Sequence, residues 1–253
     1  MEFPIVSQAP EQANSFELKS NESLRDILKE KLGDSIPGRF ISSYSSIPSG
    51  GVAWSSSFLA EYPGRPVPKL KPKDPSKVVE LYEATCRWTA YNVQDGQPFT
   101  LWCEGVAGSG IGEVVLAPIY LEIDHFYIVP GFYSPRVYEE YSRTKKIVVH
   151  YLQPARILPM DFGGFVMEGV IYSDKQEIEL SDVSGSQKIS ISNHKRLVEL
   201  AKEIRGKVDR PLFGLVAIEI VSVTEGTKYK EHTCISEIGN QYENSYYVRG
   251  PLK

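Results

Sequence analysis

The hydrophobic pattern changes character near residue 76. Beyond it, short runs of β-branched and aromatic residues recur between turn signals, at 119–129, 146–152, 165–172, 187–192 and 215–223. Runs of that length and spacing predict the strands of an antiparallel sandwich or barrel, not alternating strands and helices. One segment breaks the rhythm. In HKRLVELAKEIRGK the apolar Leu197, Leu200, Ala201 and Ile204 return every three or four residues and Gly206 ends the run, which predicts one helix inserted between strands near 194–206.

The first 75 residues read differently. SNESLRDILKEKL places Leu24, Ile27, Leu28 and Leu32 on one face of a short helix over about 21–32, with a cap among Ser20, Asn21 and Ser23 and Gly33 past its end. Residues 42–57 are rich in serine and glycine and are expected as linker. Residues 61–75 hold Pro63, Pro66, Pro68, Pro72 and Pro75 interleaved with Arg65, Lys69, Lys71 and Lys73. Each proline removes a donor and fixes φ, so this stretch is expected as an extended linker or surface strap. The expected organisation is an N-terminal extension (1–75), a β domain (76–240) and a C-terminal tail (241–253), with no internal repeat.

Composition changes this picture little. The chain is 42% hydrophobic and 24% charged, as in a folded globular protein, and its net charge of -4 gives no reason to expect nucleic acid as a partner. The longest apolar stretch, 213–223, is cut by Glu219 and falls short of the roughly 20 residues a bilayer needs, so no transmembrane segment is expected. The start carries Glu2, Pro4 and Glu11 with no basic residue before Lys19, unlike a secretory signal. That leaves a cytoplasmic protein, or an exported one whose signal lies outside this sequence. Cys86, Cys103 and Cys234 form no CxxC pair and allow at most one internal disulfide.

Enzyme signatures are missing. There is no GxSxG, no GxxxxGK[ST] and no HExxH, and His125, His150, His194 and His232 are scattered. Gly108, Gly110 and Gly112 in GSGIGE have the wrong spacing for a dinucleotide fold and read as a tight loop. Glu104 and Glu113 as a glycosidase pair would be defined by geometry that spacing alone does not give.

Three blocks carry a resemblance. NVQDGQPFTLWCEGVAGSGIGE at 92–113 has the N-x-x-D-G turn followed by T-x-W of discoidin-like (F5/8 type C, galactose-binding-like) domains, and its EGVxGxGIGE continuation resembles the NADase-type glycan-binding domain of bacterial toxins and surface proteins. GFYSPRVYEEYSRTKKIVV at 131–149 and EGTKYKEHTCISEI at 225–238 resemble later blocks of that family, in the same order. The match spans about 80–240. It departs from the pattern at Tyr141, where asparagine is usual, and at Glu231, where aspartate is usual. The resemblance implies an eight-stranded antiparallel jelly-roll sandwich whose loops bind ligands, and no NAD hydrolysis, since this module is not the NAD-cleaving part.

On that resemblance, Arg143, Lys145, Lys228 and Glu104 are candidate glycan contacts, with Phe132, Tyr133 and Tyr138 as an apolar platform; the alternative is solvated or strand-edge charge. Trp102 fills the sandwich core or stacks on ligand. In many relatives the D-G-x-x-x-T turn binds calcium. Here Asn92, Asp95, Gln97, Thr100, Ser236 and Glu237 would supply an oxygen shell for one structural Ca²⁺, against a self-satisfied turn. If the domain is exported, one disulfide is expected, with Cys103 and Cys234 the first choice because both lie in family blocks near chain ends of the sandwich, and Cys86 is then the spare thiol. The implied function is a non-catalytic carbohydrate-binding or adhesion module of an exported bacterial surface protein or lipoprotein, its partner a glycan or glycoconjugate. The alternatives are a module that binds a host or cell-surface protein and, as a more distant one, an enzyme such as a glycosidase or NAD hydrolase.

Overall fold

A computed structural model describes residues 15–17, 25, 28–29, 31, 33–42, 53–59, 88–97, 99–159, 165–205 and 212–240. The expected helix over 21–32 lies mostly outside them: Arg25 is helical and its carbonyl accepts the Leu28 amide. The proline-rich stretch 61–75 and the tail 241–253 lie wholly outside.

Among the described residues, eight strands fall within 76–240: β4 (Trp102–Cys103), β5 (Val114–Tyr120), β6 (His125–Pro130), β7 (Tyr141–Pro159), β8 (Phe165–Glu179), β9 (Gln187–Ser190), β10 (Phe213–Thr224) and β11 (Tyr229–Gly239). Three more come from the N-terminal extension: β1 (Ser15–Glu17), β2 (Ser35–Ser42) and β3 (Trp54–Ser55). One layer runs β1-β2-β8-β7-β10-β5-β3, and β4, β6 and β9 gather around β11 as a second. All pairings between strands are antiparallel except β11–β7, which joins the layers through Tyr229↔Tyr141 and Cys234↔Arg143.

Alternation along the strands decides the packing. Val115, Ala117 and Ile119 of β5, Ile147 and Val149 of β7, and Val216, Ile218 and Ile220 of β10 point between the layers, where they meet Trp102, Phe126, Ile128 and Ile235. The intervening Val114, Leu116, Leu152, Leu215 and Ala217 point to the opposite face, against Met167, Val170 and Tyr172. A sheet buried on both faces needs a second cover. Fully buried Trp54 of β3 and half-buried Leu28 supply part of it, so the serine- and glycine-rich 42–57 is in part sheet and core, not linker.

Two strand expectations are corrected. The run 119–129 is not one strand: β5 ends at Tyr120 and β6 begins at His125, because Glu122 and Asp124 break the apolar run and Glu122 Oε1 accepts the Leu212 amide. β7 continues through Pro154 because its β10 ladder stops at Leu152, so the proline breaks no bond on that side. The helix His194–Arg205 forms where the periodicity places it, with Leu197 and Ala201 in the core. Among the described residues no helix is long and apolar enough to cross a membrane.

Candidate functional site

Strand directions and registers bring four loops to one end of the sandwich: 104–113, 131–140, 180–186 and 225–228. Gly131 turns the chain out of β6 at φ +80, and an added Cβ there would press on Arg143 Cβ and the Tyr138 ring. Loop 131–140 continues into one helical turn, Pro135–Tyr138. Arg143, at the start of β7, lies over the Tyr138 ring at 4.8 Å and holds Asp182 with both arms of its guanidinium, Nε to Oδ1 at 2.5 Å and Nη2 to Oδ2 at 2.7 Å. That pairing drives the Asp182 carboxyl below its ordinary range and the guanidinium above its own. Burial holds the Tyr138 hydroxyl up at about 12, so it stays protonated. Ser184 donates to the Tyr133 carbonyl at 2.5 Å and fastens the 180–186 loop onto the 131–134 segment.

The sequence candidates divide by exposure. Tyr133, Tyr138 and Arg143 are brought together here, but each is less than a tenth exposed, and they act as the floor of the site. Lys145 is exposed beside them, close enough for its charge to act on Asp182. Lys228, exposed at the same end, pairs with Glu140 at 3.5 Å and lies over the Tyr229 ring, which stacks on Tyr141.

Trp102 and Glu104 are corrected. Trp102 is fully buried between the layers and donates from Nε1 to the Ser57 carbonyl at 2.8 Å, so no ligand can stack on it. Glu104 is also fully buried. Its oxygens accept the Thr233 and Val106 amides, and burial pushes its carboxyl up to about 7, with the Glu113 charge adding a little. It anchors the GSGIGE loop: Gly110, at φ +70, passes so close that a Cβ would lie 2.2 Å from Glu104 Cγ. Glu113 is fully buried as well, bonded to Ser56 and Ser57 and paired with Arg25 at 3.2 Å, so the two carboxylates face no common cleft.

The D-G turn is built largely as a self-bonded loop. Asp95 Oδ1 accepts the Gln97 amide at 2.8 Å, Thr100 Oγ1 reaches both Asp95 oxygens, Asn92 Nδ2 donates to the Leu101 carbonyl, and Ser236 Oγ donates to the Thr100 carbonyl. The Gln97 side chain is exposed. Glu237 is different. It is 8% exposed, and neither carboxylate oxygen has a well-formed hydrogen bond. Burial, and then the charge of Asp95 beside it, raises its carboxyl well above the ordinary range; burial likewise lifts Asp95 to about 6. Two facing carboxyl groups, Glu237 buried and Asp95 half-buried, with the Glu237 oxygens lacking a well-formed hydrogen bond, make a donor set that would fit a hard divalent cation. Asp95 and Glu237 would hold the ion, and its charge would neutralise both and fix the turn to β11.

Two neighbouring features carry no sequence motif. Phe99, on this turn, is 62% exposed and stands edge-on to Tyr133 with ring centroids 6.3 Å apart. Asp182 belongs to an ordinary DVSGS turn. Nothing in the sequence marks either one except the family block around Phe99. Below the site, the Cys103–Cys234 disulfide joins directly paired residues of β4 and β11, buried with Trp88, Leu101 and Tyr141. Cys86 lies outside the described residues.

Among solved structures the chain is similar to the family 32 CBM of C. perfringens NanJ in complex with galactose, at 12% identity and a TM-score of 0.32, over 74% of this chain and 90% of that one. It is also similar to Ruminococcus gnavus GH29 fucosidase in complex with fucose, at 13% identity and a TM-score of 0.27, over 75% of this chain and 25% of that one. No curated protein matches. Residues 72–241, more than half of the chain, match the model of the NAD glycohydrolase translocation F5/8 type C domain, and the chain belongs to that family.

Proposed function

We propose that the chain is a non-catalytic glycan-binding module of an exported bacterial surface protein, with its ligand on the loop end beside Phe99. The observation that carries the reading is Phe99, a large apolar ring held exposed on a bonded turn, propped on a buried tyrosine and next to a rigid set of polar groups. An exposed aromatic with fixed orientation suits the apolar face of a pyranose, and a few polar groups beside it set orientation. The disulfide supports export, since such bonds persist in oxidising compartments. A non-catalytic role is supported by the sequence, which carries no GxSxG, GxxxxGK[ST] or HExxH signature. One Ca²⁺ on Asp95 and Glu237 is part of this reading, as the ion that stiffens the turn bearing Phe99.

A glycan array read with the whole chain tests it. Shallow sugar sites have millimolar to micromolar Kd, about 4 to 8 kcal/mol, so loss of one stacked ring should weaken binding at least about tenfold. Phe99→Ala should do so without changing the melting temperature, whereas Lys195→Ala, exposed on the helix, should leave binding unchanged. An array that stays blank at high protein concentration, or NAD consumed in proportion to purified protein, would overturn the reading.

A further inference from the structure

The Arg143–Asp182 pair has one half inside and one half outside. Arg143 is 7% exposed and lies against Tyr138, whereas the Asp182 side chain is 48% exposed. A carboxylate has about four acceptor positions, and the guanidinium occupies one on each oxygen. The buried Tyr138 hydroxyl also interacts with this carboxylate, and about half of the Asp182 side chain stays open to solvent.

The loop that carries Asp182 is fixed on both sides. The Ser181 amide donates to Gln187 Oε1 and Gln187 Nε2 donates back to the Ser181 carbonyl, while Ser184 is bonded to the Tyr133 carbonyl. Val183, 54% exposed, adds apolar surface next to it, and Tyr133 links this loop to Phe99.

We infer that Asp182, oriented by Arg143, is the acceptor that selects the ligand: a neutral sugar that presents two adjacent hydroxyls to its outer lone pairs. This rests on the glycan-binding reading and narrows it. Hydroxyl protons complete the hydrogen bonding of a carboxylate already neutralised from behind by Arg143. A carboxylated sugar would set a second negative charge against Asp182 or compete with it for the guanidinium; the exposed Lys145 offsets part of that repulsion but supplies no acceptor for the sugar hydroxyls, so the site should discriminate against uronates.

The test pairs galactose, glucose and mannose with their uronates and measures Kd by calorimetry for the whole chain. The best neutral hexose should bind at least about tenfold more tightly than its uronate. Asp182→Asn should weaken the neutral sugar at least about tenfold and erase the preference, since charge-assisted hydrogen bonds are the strong ones. Asp182→Glu keeps the charge and moves the acceptor pair by one methylene. With an unchanged melting temperature it should lose binding comparably, which separates contact from a structural role. A uronate bound as tightly as its hexose would overturn the inference and leave the glycan reading standing, as would both variants binding the hexose within threefold of wild type. Should no sugar bind at all, the glycan reading falls and this inference with it.

Discussion

Replacing Cys103 and Cys234 together by alanine removes a cross-link whose worth follows from topology. The bonded residues are 131 apart in sequence. Closing a loop of that length restricts the unfolded chain by about 17 cal/mol/K in the chain-entropy model, or about 5 kcal/mol at 25 °C. The folded side changes little, because the two residues are already cross-strand partners and the ladder holds them in place without the bond. Urea titration of the whole chain, with the double variant beside wild type, is the assay. With a slope near the upper end for small domains, about 3 kcal/mol/M, the midpoint should fall by about 1.5 to 2 M. The slope itself should rise, since the unlinked chain unfolds further. Each single variant should cost about as much as the double, because either one removes the whole cross-link. A linked peptide containing Cys103 and Cys234 must first be seen in an unreduced digest. Additive single variants, or a midpoint shift under about 0.5 M, would refute the reasoning.

Calcium at the Asp95–Glu237 pair should raise the melting temperature relative to EDTA, by a stabilisation of about 2.7 kcal/mol when the ion is at a hundred times its Kd. Glu237→Gln should abolish the response, and equal melting in EDTA and millimolar calcium would rule out the ion at this pair. Glu104 supplies a pH signature: with its carboxyl raised from 4.5 to about 7, the folded state holds a proton that the unfolded state has released between those values, so its contribution falls as pH rises across that window and is flat above it. The stability difference between wild type and Glu104→Gln should therefore shift against wild type by on the order of 3 kcal/mol from pH 4.5 to pH 8, and a pH-independent difference would show that Glu104 is charged in the fold throughout.

Periodicity read this fold well where one physical cause acted alone. The inserted helix and β-rich 76–240 follow from apolar spacing, because a face that must be buried repeats at 3.6 or 2 residues whatever covers it. It failed where a polar composition hid a buried role. Ser55, Ser56 and Ser57 look like linker, yet Ser55 is fully buried, Ser56 and Ser57 bond Glu113, and Trp54 beside them plugs the second face of the main sheet. A two-residue strand has no period to detect. The three-block resemblance located the loop end but not who touches solvent there, since that depends on which loop crosses above which strand.

That failure has a physical order to it. Of the glycan candidates in the family blocks, Trp102, Glu104, Tyr133, Tyr138 and Arg143 are buried and only Lys145 and Lys228 are exposed, whereas Phe99 and Asp182, which are not among those candidates, meet solvent. A buried polar group must be matched by particular partners, as Glu104 is by two amides and Arg143 by one carboxylate, so its identity is tightly constrained by the fold. An exposed contact answers only to the ligand. The supports are also cross-linked to one another: the disulfide ties β4 to β11, the Asp95 turn lies against β11 through Ser236, and Arg143 ties β7 to the 180–186 loop. On the proposed glycan-binding reading, a weak ligand would meet a surface already in place and forfeit little of its few kilocalories to immobilising side chains. Exposed residues can then change to suit a different ligand while the supports beneath stay the same, as expected of a fold that keeps its scaffold and varies its loops.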